Sequence, residues 1–385
     1  MFYNFLLSIF LASLGTILCK EDEINLNKRS AFYNKGVKWD VNKPIQYALF
    51  SIENAASIYE AFDIMSKNTC FEFVEVEKEF KINQGFKIVN GLLTSLKLIE
   101  SETKVIFLQA FDVECIQDTY CILHNFLVAF GLIYPHMRYD RDDYVKIDLT
   151  TVLYRDHNNF KKYSKEEAET FDTSYDFGSI IHPPVYFLSP SHNDTIIPYL
   201  SEYRYMMAQR ELVSFNDWKI LNLQYCKHKC SIYLNCKNGG YSDIKNCTQC
   251  KCPEHYEGKR CEKFTESKDE CPKYDFTAED YYKQLYIKGK VKCKYLIQAP
   301  QGYKIEIKVL RYKGKIQTSP CNTLNGVTIK YGTDKGASGL VLCENQNTFI
   351  NIPGKSNEIL ISYDSKTGAK EFEFLYRRVF DPNDC

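Results

Sequence analysis

The pattern of apolar and polar positions predicts a leader followed by alternating strands and helices. An apolar run covers residues 1–19 and ends at charged KEDE, which is typical of a secretory signal peptide. After Trp39, the segments VNKPIQYALF and FEFVEVE predict strands, as do KIVNGLL and KVIFLQAF further on. Between them, residues 51–67 carry apolar side chains at helical spacing, which predicts a helix that Ser51 or Asn54 would cap.

The middle of the chain combines a buried helix with charged and proline-containing segments. The run from Ile122 to Phe130 is apolar almost all round, which predicts a buried helix. A polar helix is predicted near SKEEAETF, and a tight turn in YDFGSIIHPP at 175–184. Residues 199–225 read as helical towards their end.

The composition changes abruptly at Cys226. Seven cysteines occur in the 36 residues from Cys226 to Cys261, with too few apolar residues for a core, so disulfides must stabilise this part. Residues 271–380 alternate in short strands whose spacing predicts a β-sandwich.

Length and composition narrow the function classes. A chain of 385 residues predicts two or three domains, and its formal net charge of zero gives no indication of nucleic acid or an anionic membrane as partner. No stretch after the leader is long and apolar enough to cross a bilayer. Sixteen cysteines indicate an oxidising compartment, and Asn193 and Asn246 begin N-glycosylation triplets. Residues 20–30 are either a pro-segment or the start of the mature chain.

Residues 121–147 contain the candidate chemistry. The zinc-protease pattern H-E-x-x-H-x-x-G-x-x-H places two histidines on one helix face, a glutamate beside the first, and a third histidine after a glycine turn. His124 and Gly131 stand in register with this pattern. Asn125 stands at the glutamate position, and Val128 and Tyr134 stand at the other two histidine positions. Only one of the three metal-ligand positions therefore carries a histidine.

Several motifs in order resemble those of the astacin zinc metalloproteases of the metzincin clan, in the nematode-style arrangement with two further modules. They are Trp39 with Pro44-Ile-Gln-Tyr47, Thr69-Cys70-Phe71, His124 with Gly131, His136-x-Arg138-x-Asp140-Arg141-Asp142-x-Tyr144, Tyr175-Asp176-x-x-Ser179-Ile180-Ile181-His182, and Ser214-x-x-Asp217 with Asn222-x-x-Tyr225-Cys226.

The resemblance implies an α+β, metzincin-type peptidase domain at 31–226. It further implies a small disulfide-rich EGF-like module at 227–262 and an all-β CUB sandwich at 271–380.

The departures from the family fall on its chemistry. A lone imidazole cannot hold zinc against water, valine offers no lone pair, and Asn125 cannot accept a proton from water at neutral pH. Zinc is therefore expected by resemblance only, and we expect His124 to be a buried, hydrogen-bonded helix residue. The alternative is a rebuilt site that uses Tyr134, His136, His157 or His182. The family's methionine and tyrosine are replaced by Ile181 and Pro183, and Pro135 replaces the glutamate that receives the processed N-terminus.

The resemblance also implies a disulfide scheme. The pairs that it gives are Cys70–Cys226, Cys230–Cys247, Cys236–Cys250, Cys252–Cys261, Cys271–Cys293 and Cys321–Cys343. Cys121 is the available partner of Cys115, although the geometry at a helix start leaves this pair open. This scheme leaves Cys385 without a partner. A single unpaired cysteine predicts either an intermolecular disulfide that links a dimer or a capped thiol.

Three functions follow from these observations. The first is a secreted, catalytically inactive astacin homologue that binds an extracellular protein or glycan through its EGF-like and CUB modules. The second is a residual zinc metalloendopeptidase that hydrolyses peptide bonds of extracellular proteins. The third is a structural matrix component, which dimers linked through Cys385 would indicate.

Overall fold

The described residues begin at Trp39. The structure is a computed structural model that describes residues 39–77, 80–100, 105–267, 271, 276–314, 320–324, 326–346, 348–365 and 370–382. The predicted signal peptide at 1–19, the segment 20–30 and Cys385 lie outside the described residues.

The N-terminal region, residues 39–226, is built on a five-stranded sheet of order β2-β1-β3-β5-β4, in which only the edge strand β4 is antiparallel to its neighbour. Its strands are β1 (Ile45–Phe50), β2 (Phe73–Glu75), β3 (Gln84–Asn90), β4 (Ser95–Glu100) and β5 (Val105–Phe111). Its helices are α1 (Ala56–Asn68), α2 (Thr119–Ala129) and α3 (Phe215–Leu221), and a π-helical turn, Asn222–Cys226, continues α3. Short 3₁₀ helices cover Cys115–Gln117, Pro135–Met137, Arg141–Asp143, Tyr154–Phe160 and Ser201–Tyr205, and strands β6 (Val145–Ile147) and β7 (Ile196–Pro198) form a small antiparallel ribbon.

Aromatic rings fill the core between this sheet and α2. The Trp39 ring lies 5.1 Å from that of Phe86 and 4.9 Å from that of Phe130 at the end of α2. Phe130 also stacks on Phe71 at 4.4 Å, and all four side chains are buried. Aromatic pairs at these distances add about 0.5–1.5 kcal/mol each beyond their buried area. The core therefore fixes the position of α2.

Two of the predicted helices differ from the structure. The first begins at Ala56, five residues after the start of the predicted segment, because Ser51 has a positive φ of 56° and cannot lie inside a helix. The predicted helix near SKEEAETF is wrong. Ser164 and Glu167 cap each other's backbone N–H groups within one turn, and Phe171 and Asp172 then adopt positive φ. Its polar side chains give the segment no apolar face that packing could stabilise as a helix.

The disulfide-rich segment, residues 227–267, contains four short strands: β8 (Tyr241–Ser242), β9 (Cys250–Lys251), β10 (Tyr256–Glu257) and β11 (Lys263–Phe264). A 3₁₀ turn, Lys227–Lys229, connects it to the N-terminal region. Gly240 shows how closely this segment is packed, because a Cβ at this position would lie 2.7 Å from the Cys261 sulfur.

The two-sheet region, residues 276–382, consists of two four-stranded antiparallel sheets of order β12-β19-β14-β17 and β13-β18-β15-β16. Its strands are β12 (Lys283–Lys288), β13 (Lys292–Gln298), β14 (Tyr303–Lys313), β15 (Val327–Lys330), β16 (Leu340–Leu342), β17 (Ile350–Ile352), β18 (Glu358–Asp364) and β19 (Glu371–Phe380). Alternate residues of these strands, such as Ile305, Ile307 and Val309, point into one core shared by both sheets.

Seven disulfides connect the described cysteines. They are Cys70–Cys226, Cys115–Cys121, Cys230–Cys247, Cys236–Cys250, Cys252–Cys261, Cys271–Cys293 and Cys321–Cys343. Across the described ranges, none of the helices combines the length and the apolar character that a membrane span requires.

Candidate functional site

The site at the zinc-pattern positions, here called the cleft, comprises His124, Asn125 and Val128 on α2 and Tyr134 in the chain that follows it. Asp118 begins this helix as its N-cap, and its carboxylate accepts hydrogen bonds from the backbone N–H groups of Tyr120 and Cys121. The helix ends at Ala129, and Gly131 follows with a φ of 87°, a conformation that favours glycine. This turn directs the chain back so that Tyr134 approaches the face of α2 that carries His124.

The three residues at the ligand positions of the zinc pattern supply different chemistry. His124 is hydrogen-bonded as expected but half-buried rather than buried. It donates a hydrogen bond from Nδ1 to the carbonyl oxygen of Ile180, over 3.0 Å. The ring of Tyr134 lies 6.2 Å from the His124 ring, and Val128 presents a buried alkyl side chain one turn along the helix. The structure therefore brings positions 124 and 134 together, and Asn125 turns its amide back to the carbonyl oxygen of Cys121 in its own helix.

The other candidate histidines make hydrogen bonds within the fold. His136 is fully buried and donates from Nε2 to the carbonyl oxygen of Asn159. His182 is also fully buried: its Nδ1 donates to Pro183, and its Nε2 accepts from the Tyr175 hydroxyl at 2.8 Å. His157 lies in a separate 3₁₀ helix and bonds to the carbonyl oxygen of Val152. These contacts give each histidine a structural role.

This donor set does not fit a zinc ion. Zinc sites in proteins use three or four nitrogen, sulfur or carboxylate ligands, whereas the cleft offers one imidazole, one phenol and a hydrocarbon side chain. Among the residues that the structure describes, no group of three or more histidine, cysteine, aspartate or glutamate side chains is placed to hold a metal ion. The cleft therefore lacks the ligand set that would hold a catalytic zinc ion.

The turn beneath the cleft is held by a buried carboxylate. Asp217 forms a capping box with Ser214 at the start of α3 and also accepts hydrogen bonds from the Ser179 hydroxyl and the Ile180 amide. Burial and the nearby Asp176 raise the pKa of Asp217 to about 6, although these hydrogen bonds oppose the rise. The network fixes the Ile180 carbonyl against which His124 is oriented.

Arg210 is a residue of this site that the sequence pattern did not reveal. Its guanidinium donates to the carbonyl oxygens of Ile180 and His182, so that it shares one acceptor with His124. Burial lowers its pKa to about 10. A single arginine in an irregular loop has no periodic signal, and only the folded geometry places it here.

The acidic and basic run after the cleft is a structural feature. Arg138 forms two hydrogen bonds to the Asp140 carboxylate, each 2.8 Å, and a third to the Thr173 carbonyl. Arg141 donates to the carbonyl oxygens of His136 and Phe160. Arginine forks bound to carboxylate and carbonyl groups in this way hold neighbouring loops together. They are largely buried and so do not form an open substrate groove.

The buried histidines predict that the fold becomes less stable in mild acid. Burial lowers the pKa of His136 to about 3 and that of His182 to about 4, whereas both would titrate near 6.5 in the unfolded chain. Below pH 6.5 the unfolded state takes up protons that the folded state does not, so each histidine lowers the free energy of unfolding by about 1.4 kcal/mol per pH unit. The pKa of Asp217 is raised on folding, so the folded state takes up a proton before the unfolded state does. Below about pH 6 this residue therefore raises the free energy of unfolding.

Urea unfolding at pH 6.5 and pH 5 measures this effect. His182→Gln keeps a hydrogen-bond donor and an acceptor but cannot be protonated. Between pH 6.5 and pH 5 we expect this variant to lose about 2 kcal/mol less unfolding free energy than the wild-type protein loses. His192→Gln, at an exposed position, is the matched control. If the unfolding free energy of the wild-type protein and of His182→Gln depended equally on pH, His182 would not be the source of the acid sensitivity.

The N-terminal region matches a known protein family. The family model described as Astacin (Peptidase family M12A) matches residues 31–226, which is just over half of the chain. The chain belongs to the astacin family. It is similar to zinc metalloproteinase nas-34 of Caenorhabditis elegans, with 31% identity over 261 residues that cover 68% of this chain and 42% of that protein. Zinc metalloproteinase nas-20 of the same organism is 28% identical over 394 residues, which cover 98% of this chain and 96% of that protein.

Among solved astacin-like structures, the chain is similar to high choriolytic enzyme 1, a hatching enzyme zinc-protease from Oryzias latipes. The identity is 23% and the TM-score 0.41, and the match covers 47% of this chain and 88% of the other. By its family model and its sequence relatives, the chain is a homologue of astacin zinc metalloproteinases, and it spans less than half the length of nas-34. Astacins depend on zinc. The side chains at positions 124, 128 and 134 therefore determine whether this member can bind the metal.

The two glycosylation positions lie on the surface. Asn193 and Asn246 are both exposed. The Asn246 side-chain oxygen accepts a hydrogen bond from the Thr248 hydroxyl of the same triplet. Their modification stays a prediction.

Proposed function

We propose that this chain is a secreted astacin homologue that binds an extracellular protein or glycan and does not hydrolyse peptide bonds. The observation that carries the proposal is the donor set of the cleft, where Val128 and Tyr134 replace two nitrogen ligands and Asn125 replaces the general base. Without a metal-bound water and a base to deprotonate it, a peptide carbonyl meets no nucleophile in the cleft.

The remaining two regions supply the binding surfaces in this proposal. We assign residues 227–262 to an EGF-like module, supported by three disulfides that join its cysteines in the order first to third, second to fourth and fifth to sixth. We assign residues 271–380 to a CUB module, supported by two antiparallel sheets around one core and two disulfides of equal loop length. Secretion is supported by the disulfides, which persist in oxidising compartments.

One observation favours the second candidate, a residual zinc endopeptidase. His124 keeps its Nδ1 bonded to a backbone carbonyl, which is how metal-ligating histidines are usually oriented. Orientation of one ligand does not replace the two missing nitrogen ligands, so we place this function second.

A proteolysis assay separates the two functions. The protein, secreted from eukaryotic cells, is incubated with a denatured protein substrate with and without a chelator, beside an active astacin as positive control. We expect no cleavage in either condition. Chelator-sensitive cleavage that is lost in His124→Ala would establish the endopeptidase and overturn the binding-only function.

A further inference from the structure

The formal charge of the chain is divided between its two parts. Residues 31–226 carry 19 lysines and arginines against 27 aspartates and glutamates, a net charge of −8. Residues 227–385 carry 27 lysines and arginines against 19 aspartates and glutamates, a net charge of +8. The zero total therefore conceals a basic C-terminal part, and an asymmetry of this kind indicates an anionic partner for that part.

Four exposed cations come together in the disulfide-rich segment. We call Lys237, Lys251, Lys259 and Arg260 the basic patch, and all four are exposed. The Lys237 N–H donates to the Arg260 carbonyl, and the backbone N–H just before Lys251 donates to the Lys259 carbonyl, each over 2.8 Å. A Cβ added at Gly240 would lie 3.0 Å from the Lys251 carbonyl oxygen and 3.2 Å from that of Lys237. The four side chains therefore start from neighbouring backbone positions, so their charges can act together on one bound anion.

Disulfides fix the backbone of the basic patch. The bonds Cys236–Cys250 and Cys252–Cys261 place a half-cystine directly beside Lys237, on both sides of Lys251 and beside Arg260. Because this backbone is already ordered, binding of a ligand has to order only the side chains. The cations thus form a preformed surface on a small, cross-linked segment.

The lysines of the basic patch are not neutralised within the fold. Lys237, Lys251 and Lys259 form no ion pair and no side-chain hydrogen bond in the part of the chain that the structure describes. Arg260 uses its Nε–H to hold the carbonyl oxygen of Asn235, and the guanidinium keeps its charge. Solvent is therefore the present partner of these ammonium groups, and an external anion can replace it.

Three carboxylates lie near the basic patch, and each already has a partner. Glu262 accepts a hydrogen bond from the Arg260 backbone N–H. Glu257 stands opposite Lys263 in the β10–β11 pair. Asp334 of the two-sheet region, which approaches the loop before β8, accepts hydrogen bonds from three N–H donors. Four cations against these engaged carboxylates leave the patch with an excess of positive charge.

The surroundings of the basic patch favour a hydrated polyanion as the partner. Over residues 234–267, all of which the structure describes, no large apolar side chain is exposed. Stable protein interfaces have an apolar centre, and membrane association needs buried apolar area in addition to charge. A sulfated polysaccharide needs neither, because its sulfate and carboxylate groups accept charge-assisted hydrogen bonds from ammonium and guanidinium groups. The disulfides, moreover, persist in the oxidising compartments outside the cell where such polysaccharides occur.

We propose that the basic patch binds a sulfated polysaccharide of the extracellular matrix, with its sulfate groups against the three lysines and Arg260. The inference rests on the proposed function, since it names the class of glycan that a secreted, binding member of the family would hold. The two can fail separately. Without polysaccharide binding, a protein remains the partner class of the proposed function, whereas cleavage in the proteolysis assay would overturn that function and leave the patch unaffected.

Surface plasmon resonance of the full secreted chain on immobilised heparin tests the patch. We expect binding with a micromolar Kd at about 0.15 M salt that weakens steeply as the salt concentration rises. Each lysine near a dense anionic surface contributes about fivefold in affinity, so Lys237→Gln, Lys251→Gln and Lys259→Gln together should weaken binding about a hundredfold. The corresponding triple Lys→Arg variant keeps the charges and should retain binding.

The matched control combines Lys81→Gln, Lys97→Gln and Lys165→Gln, which remove the same charge from exposed positions of the N-terminal region. It should change the Kd by no more than about twofold. The proposal is overturned if heparin does not bind the wild-type chain, or if both Lys→Gln triples weaken binding equally. Vesicles that contain phosphatidylserine are a second probe, and binding to them without binding to heparin would replace the polysaccharide with a membrane surface. Hyaluronan, which carries carboxylates but no sulfates, should bind at least about tenfold more weakly, and equal binding would overturn the assignment to sulfate.

Discussion

A double variant, Val128→His with Tyr134→His, is expected to bind one zinc ion per chain. Both positions already lie at the cleft face that carries His124, and the tight turn at Gly131 that delivers the third ligand is present. His124 is already oriented through Nδ1 by the Ile180 carbonyl. Three imidazoles in this arrangement complete the ligand set of a catalytic zinc site. We expect micromolar or tighter binding, which corresponds to about −8 kcal/mol.

Titration calorimetry with zinc, at fixed pH, measures this gain. His124→Ala in the same background is the matched control and should remove the binding, because only two imidazoles remain. The triple variant that adds Asn125→Glu supplies a general base, and we expect chelator-sensitive cleavage of a denatured protein. A double variant that folds and binds no zinc would show that the cleft has lost more than its ligands.

Removal of the Cys70–Cys226 disulfide is expected to cost about 5 kcal/mol of unfolding free energy. This bond closes a loop with a sequence separation of 156 residues, and in the chain-entropy model the stabilisation grows with the logarithm of loop length. Cys226 is fully buried beside the aromatic core, so the double Cys→Ala variant also loses packing. Such a loss approaches the total stability of many domains, so secretion should fall sharply.

The Cys115–Cys121 pair provides an internal comparison. It spans only 6 residues, and the same model gives about 2 kcal/mol for its removal. Urea unfolding of both double Cys→Ala variants measures the difference. A smaller loss at Cys70–Cys226 than at Cys115–Cys121 would contradict an account based on loop length.

Much of the fold could be predicted from local pattern because the pattern and the packing agree. The alternation in residues 271–380 corresponds to the strands of the two sheets. The apolar run from Ile122 to Phe130 overlaps α2, which begins three residues earlier at Thr119 and leaves His124 and Asn125 half-buried. Family membership followed from motifs that are short but occur in a fixed order. Strand β4 was not singled out, since it lies at the sheet edge and its polar and apolar residues give a weak signal.

The site was less predictable wherever it depends on distant parts of the chain. The residues at positions 124, 125, 128 and 134 could be aligned with a linear motif, so their chemistry was accessible without a structure. Arg210 is 30 residues from its acceptor Ile180, and Lys237 is brought beside Arg260 only by the folded disulfide-rich segment. No sequence period encodes such contacts.

The zinc content of the wild-type chain tests the central claim most directly. The protein is secreted from eukaryotic cells in medium with added zinc, purified without chelators, and its metal measured by atomic emission against protein concentration. We expect far less than one zinc ion per chain, and no change after dialysis against a chelator. One zinc ion per chain, removed by chelator and absent from His124→Ala, would contradict the account.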